Sequence, residues 1–337
     1  MKSPPLIISA SRRTDIPALY PAWFENRVRA GFADVPNPRS LAIQRVSFAH
    51  ARVFVLWSKN PAPLVPRLDA LSAAGCRQII LHYTINNQPD WLEPGLPDFA
   101  VRIETFRSWS RIIGPERINW RSDPLVLADG LDCDRLVERV TRVGEALAGC
   151  TKRMIVSFVG ISQYPRVAAR IAGCVVPGGR TGGGLRSPTM TEREDILGRL
   201  AERARSWGMA LSSCADRTDW RQLGVGHSAC VDARQLRSAF PEDGVLQDWL
   251  GREDGQGLLS FADGDAQDLV QGLPSLAALQ AHPRRDRGQR EACACLESRD
   301  IGVYGTCTHG CLYCYADVGE RLTRQHDPAG TSLLPPD

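Results

Sequence analysis

The chain has 337 residues, is 43% hydrophobic and carries a formal net charge of +3. That is the composition of a globular protein, long enough for one large barrel or two ordinary domains. No apolar stretch approaches a membrane span, and so small a charge argues neither for nor against nucleic acid.

Residues 1–5 show no long apolar run after a basic start, so no secretory signal is expected. Eleven cysteines in such a chain point to a reducing compartment, the cytoplasm, where thiols serve as ligands or buried groups rather than disulfides. Lysine occurs only at Lys2, Lys59 and Lys152. The arginine excess reads as codon bias rather than phosphate recognition.

Short apolar runs at 6–11, 53–59, 78–85, 118–123, 154–160 and 209–215 read as strands. A last run, 301–305, leads into a cysteine-rich loop. Val53-Phe54-Val55-Leu56-Trp57 is apolar on both faces, as a strand of a parallel sheet covered on both sides must be. Between the runs the pattern turns helical. Residues 21–31 begin with Pro21, set Phe24 and Val28 one turn apart and stop at Gly31. Residues 132–147 carry Leu136, Val137, Val140, Val143 and Leu147 on one stripe. Residues 191–207 open on Thr191 and Glu194, which read as a capping box, and stop at Gly208. Strands alternating with helices predict βα units and a full or partial (β/α) barrel, with an open sheet as the alternative. The expected organisation is a barrel body over 1–215, a polar insertion over 216–299, and a last strand, loop and closing helix over 300–337. Within these, 173–186 reads as a glycine-rich surface loop and 274–281 as a weak helix.

The loop carries the chemistry. It reads Cys307-Thr308-His309-Gly310-Cys311-Leu312-Tyr313-Cys314, that is, Cys-x3-Cys-x2-Cys. Three thiolates on one short loop can each take one iron of a [4Fe–4S] cluster and leave the fourth iron open. The alternative is a zinc loop completed by His309 or a distant cysteine.

This spacing, with an aromatic residue before the third cysteine, resembles the signature of the radical S-adenosylmethionine (SAM) superfamily. The resemblance implies that SAM chelates the open iron and is cleaved reductively to a 5′-deoxyadenosyl radical. It also implies an electron donor such as flavodoxin or ferredoxin. In most members the loop follows the first barrel strand; here it follows the last. A circular permutation reconciles the two if 301–305 lies beside 6–11, with 315–324 as the helix after the loop. The chain as a whole resembles an uncharacterised bacterial family, a domain of unknown function, distantly like spore photoproduct lyase. The resemblance rests on Ser9-Ala10-Ser11-Arg12-Arg13-Thr14-Asp15-Ile16-Pro17, Trp57-Ser58-Lys59-Asn60-Pro61, Trp120-Arg121-Ser122-Asp123-Pro124 and Arg290-Glu291-Ala292-Cys293-Ala294-Cys295. It does not name a substrate, small or macromolecular.

Cys214, Cys230, Cys293 and Cys295 make four further thiolates. They suffice for a second, closed [4Fe–4S] cluster, with a structural zinc or four unrelated thiols as alternatives. Arg12, Arg13, Lys59, Arg121 and Asp123 follow strand ends, which in barrels ring the active mouth. They are candidates to hold the carboxylate and ammonium of SAM; the competing reading is ion pairs or helix caps. Under the superfamily analogy Tyr313 would pack over the adenine. His82 reads as a satisfied interior histidine.

Overall fold

A computed structural model describes residues 5–175, 182–251, 273–318 and 326–334. The strands are β1 (Ile7–Ala10), β2 (Phe32–Pro36), β3 (Ile43–Ser47), β4 (Val53–Ser58), β5 (Ile79–Thr84), β6 (Ile118–Leu125), β7 (Arg153–Phe158), β8 (Ala210–Cys214), β9 (Gly226–Ser228) and β10 (Arg299–Asp300). The helices are α1 (Ile16–Leu19), α2 (Pro21–Ala30), α3 (Leu68–Ala73), α4 (Phe99–Ile113), α5 (Cys133–Leu147), α6 (Pro165–Gly173), α7 (Met190–Ser206), α8 (Ala233–Ala239), α9 (Gly244–Leu250) and α10 (Leu276–Gln280). Among the described residues no helix is long and apolar enough to cross a membrane.

Among the described residues the main sheet has eight strands in the order β10-β1-β4-β5-β6-β7-β8-β9, and every neighbouring pair is parallel. From β1 to β9 the order advances in one direction with no reversal, and β10, the last in the chain, sits on the outer side of β1. Right-handed crossovers then place the intervening helices on one face. The burial pattern follows. Ile8, Leu56, Leu81, Trp120 and Val156 pack with Phe24, Phe106, Val140 and Leu200 of α2, α4, α5 and α7. The alternate residues Ile7, Val55, Ile80 and Ile155 face the other way and pack with Leu236, Leu246 and Leu250 of α8 and α9. Each such side chain contributes about 1.5–3 kcal/mol on burial. β2 and β3 form a separate antiparallel hairpin.

Three expectations are corrected. The capping box of α7 is Thr189 with Glu192, each side chain bonding the other's backbone, not Thr191 with Glu194. The run 301–305 is not a strand; pairing occupies Arg299–Asp300, just before it. The described residues of segment 216–299 supply β9 to the sheet and α8 and α9 to its second face. Of the expected helix over 315–324, residues 315–318 are non-helical and the rest lies outside the described residues, as does part of the 173–186 loop.

β10 nonetheless lies parallel beside β1, with Ile8 opposite Arg299 and Ser9 opposite Asp300. The segment entering the cysteine loop therefore stands at the sheet position before the first strand. Because the strands are parallel, their C-terminal ends share one edge, and the loop emerges there.

Candidate metal centre

Each end of the cysteine loop is tied to the body. The Tyr20 hydroxyl donates to the Thr306 carbonyl at 2.6 Å, and the Leu312 N–H donates to Leu92 at 3.0 Å. Arg170 donates to the carbonyls of Leu312 (2.8 Å) and Cys314 (2.5 Å). Gly95 approaches so closely that a Cβ there would lie 2.5 Å from the His309 carbonyl oxygen. The backbone of His309 and Asp15 works against the rise of the Cys307 pKa, and that of Ala316 and Asp317 against the rise at Cys314.

His309 has both ring nitrogens engaged by acceptors. Nε2 lies 2.8 Å from Asp15 Oδ2 and Nδ1 lies 3.1 Å from the Gly95 carbonyl. This ring is a fastener and has no nitrogen left for a metal. Burial works against its charge, yet Asp15 wins and raises its pKa. Asp15 also caps α1 through the Ala18 N–H and accepts from the Lys59 N–H at 2.7 Å. One carboxylate thus joins β1, β4 and the loop.

Beside the loop lies a buried polar network. Lys59 Nζ is 2.6 Å from Glu93 Oε1 and donates to the Tyr313 hydroxyl at 3.1 Å. Tyr313 in turn donates to Glu93. Asn86 donates to both at 2.9 Å and accepts from the Asp123 N–H at 2.7 Å. Burial opposes both charges of the pair; Glu93 and Cys311 nevertheless raise the Lys59 pKa, and Lys59 holds Glu93 low. The loop thiols behave differently. Burial pushes Cys307 up to about 11 and raises Cys311 and Cys314.

The other sequence candidates divide between two places. Lys59 and Tyr313 stand with the loop. Cys214 and Cys230 lie sulfur to sulfur at 3.4 Å; the Cys230 N–H donates to the Cys295 sulfur at 3.2 Å, and Cys293 packs in the same cluster. Arg121 belongs with these four, its Nη1 2.9 Å from the Cys230 sulfur and its Nη2 on Asp123. Arg12 donates to the Ser298 hydroxyl at 3.3 Å, and both guanidiniums sit over the Trp57 ring, at 4.9 and 5.3 Å. His82 stacks on the same ring at 4.3 Å, and its Nε2 lies 2.7 Å from the Cys230 carbonyl. Arg13 donates to the Gly302 carbonyl and lies over Tyr304. Among the described residues, no three His, Cys, Asp or Glu side chains converge tightly enough to hold a metal ion.

Sequence reasoning missed Glu93, Asn86, Arg170 and Asp300. Asp300 accepts from the hydroxyls of Ser9 (2.9 Å) and Ser11 (2.6 Å) and from the Arg12 N–H (2.8 Å), which fixes β10 to β1. The one available signal was an acid beside a predicted strand end.

Residues 7–316, nearly the whole chain, match the family described as Domain of unknown function (DUF1848). Comparison with curated proteins gives no match.

Proposed function

We propose that this chain, which belongs to the DUF1848 family, is a radical SAM enzyme whose loop thiols Cys307, Cys311 and Cys314 hold a [4Fe–4S] cluster with one iron left for SAM. The carrying observation is the loop itself. Both loop ends are tied to the body, His309 has no free nitrogen, and Cys293 and Cys295 stand with Cys230 instead. That donor set suits a cluster, in which each thiolate takes a different iron, better than a single zinc, whose ligands must converge.

When bound and reduced, such a cluster supplies one electron that cleaves SAM to a 5′-deoxyadenosyl radical. This chain's part is to seat, orient and exclude water. Asp15 and His309 fix the loop against β4. In this reading Arg13, about a fifth exposed, takes the carboxylate of SAM, and Asp123, a quarter exposed and already bonded by Arg121 and Ser157, takes its ammonium or a hydroxyl. The one-directional winding supports a full or partial barrel, and the seat of β10 beside β1 supports a circularly permuted one. The reading includes a cytoplasmic enzyme served by a flavodoxin- or ferredoxin-like donor.

The test is anaerobic loading with iron and sulfide, then reduction in the presence of SAM. The expected outcome is 5′-deoxyadenosine from the native chain and none from Cys311→Ala of unchanged circular dichroism. Zinc uptake without SAM cleavage would sink the reading in favour of a non-catalytic metal protein.

A further inference from the structure

We infer that Cys214 and Cys230 are a redox-active dithiol, which a small hydroperoxide oxidises to a reversible disulfide joining the ends of β8 and β9. The two strands are parallel neighbours with Cys214 opposite Ser228, and Cys230 lies two residues beyond β9. The chain beyond β9 brings the two sulfurs to 3.4 Å. A disulfide needs about 2.05 Å, so each sulfur has only about 0.7 Å to travel. The backbone of Cys230 is held on both sides. Its N–H donates to the Cys295 sulfur at 3.2 Å, and its carbonyl lies 2.7 Å from His82 Nε2. The close approach is therefore built into the fold and does not wait for a free side chain to swing in.

Ordinary buried thiols pack against apolar neighbours. Cys76 is such a case, and burial alone raises its pKa. Cys230 differs, because Arg121 Nη1 lies 2.9 Å from its sulfur. A guanidinium at that distance favours the thiolate, the form that attacks an oxidant. The Cys214 bond and the Arg121 charge hold the Cys230 pKa down against burial, while the same bond holds Cys214 up. The pair thus divides into a nucleophile, Cys230, and a protonated partner, Cys214.

Exposure selects the oxidant. Cys214 is 8% and Cys230 5% exposed, too little for a protein or peptide disulfide to reach, so the oxidant is a molecule of the size of hydrogen peroxide. The Cys230 thiolate attacks one peroxide oxygen, the O–O bond breaks and hydroxide leaves, which gives a sulfenic acid. Cys214 then attacks the Cys230 sulfur, and its proton departs with the sulfenic hydroxyl as water. The proton lost earlier from Cys230 makes the hydroxide a second water. Two electrons pass from the two sulfurs to the two peroxide oxygens. Oxidation takes the anionic sulfur from Arg121, which keeps Asp123. The Asp123 N–H donates to Asn86, and Asn86 donates to Tyr313 of the cysteine loop, so a chain of contacts runs from the dithiol to that loop. The inference stands on these thiols and does not rest on SAM chemistry at the loop.

Trypsin resolves the pair, because Arg217 and Arg221 separate the two cysteines and leave peptides 206–217 and 222–234 with one cysteine each. The full chain is reduced, freed of reductant, treated with hydrogen peroxide and blocked with an alkylating agent. The expected product is a cross-link between these two peptides as the principal disulfide, removed by dithiothreitol. In Cys214→Ser the resolving thiol is gone, and dimedone is expected to label Cys230. Arg121→Met is expected to slow cross-linking about tenfold, the worth of one pKa unit in thiolate fraction. Should that variant fail to fold, the two cysteine results decide. The inference is overturned if peroxide leaves the two peptides unlinked, if it links them no more often than it links half-buried thiols such as Cys133, or if dimedone passes over Cys230 in Cys214→Ser. An unchanged rate in folded Arg121→Met overturns the choice of Cys230 as nucleophile.

Discussion

Glu93 shows how the loop's surroundings are stabilised one side chain at a time. It shares a proton-rich pocket with Lys59, Tyr313 and Asn86, almost wholly out of water. Replacing it by glutamine leaves the Lys59 ammonium buried without a counter-charge, which costs about 3–5 kcal/mol. We expect Glu93→Gln to unfold at correspondingly lower urea, and Lys59→Met in the same background to recover most of the loss. An unrecovered double variant would mean that the carboxylate matters for shape and not for charge. None of this was legible beforehand. Glu93 lies in no periodic pattern, and its partner Tyr313 is 220 residues away in the chain.

At the level of elements, the long parallel strands were legible because burial on both faces demands continuous apolar runs. The shortest were not. β9 and β10 span three and two residues, and polar contacts rather than alternation hold β10. Asp300 grips Ser9 and Ser11 across 291 and 289 positions of sequence, a distance no local pattern encodes. The α7 cap was misplaced by two residues because Thr189/Glu192 and Thr191/Glu194 share one spacing, and only the first pair precedes the opening turn. The β10 seat has a sharp test. A Cβ on Gly302 would lie 1.9 Å from Ser11 Oγ, so Gly302→Ala must displace one of the two strand ends, at about 1–3 kcal/mol. We expect faster amide exchange at Ser9 and Ile301 while β5 to β7 stay protected; unchanged exchange would show that β10 is a passenger.

For the molecule as a whole, the buried pair of Arg153 and Asp232 links β7 to the α8 cap at 2.8 Å. Arg234 reaches the same carboxylate at 3.0 Å. Burial alone would raise the Asp232 pKa; Arg234 and Arg153 outweigh it and depress it. The unfolded chain therefore binds the proton first, and the stabilisation is present above the ordinary aspartate value of about 3.9 and lost as pH falls through the folded value. Asp232→Asn should destabilise by about 3–5 kcal/mol at neutral pH and flatten the acid limb of stability below about pH 4. An acid limb as steep as the native one would assign that slope to other carboxylates.

The place of β10 in the chain bears on how the protein is made. A ribosome delivers every described strand, β10 included, before it reaches Cys307, so most of the fold can condense while the thiol-bearing loop is still unsynthesised. If the loop holds the cluster proposed above, that cluster would have to enter a nearly finished molecule, and a nascent chain interrupted before residue 307 would lack the loop altogether.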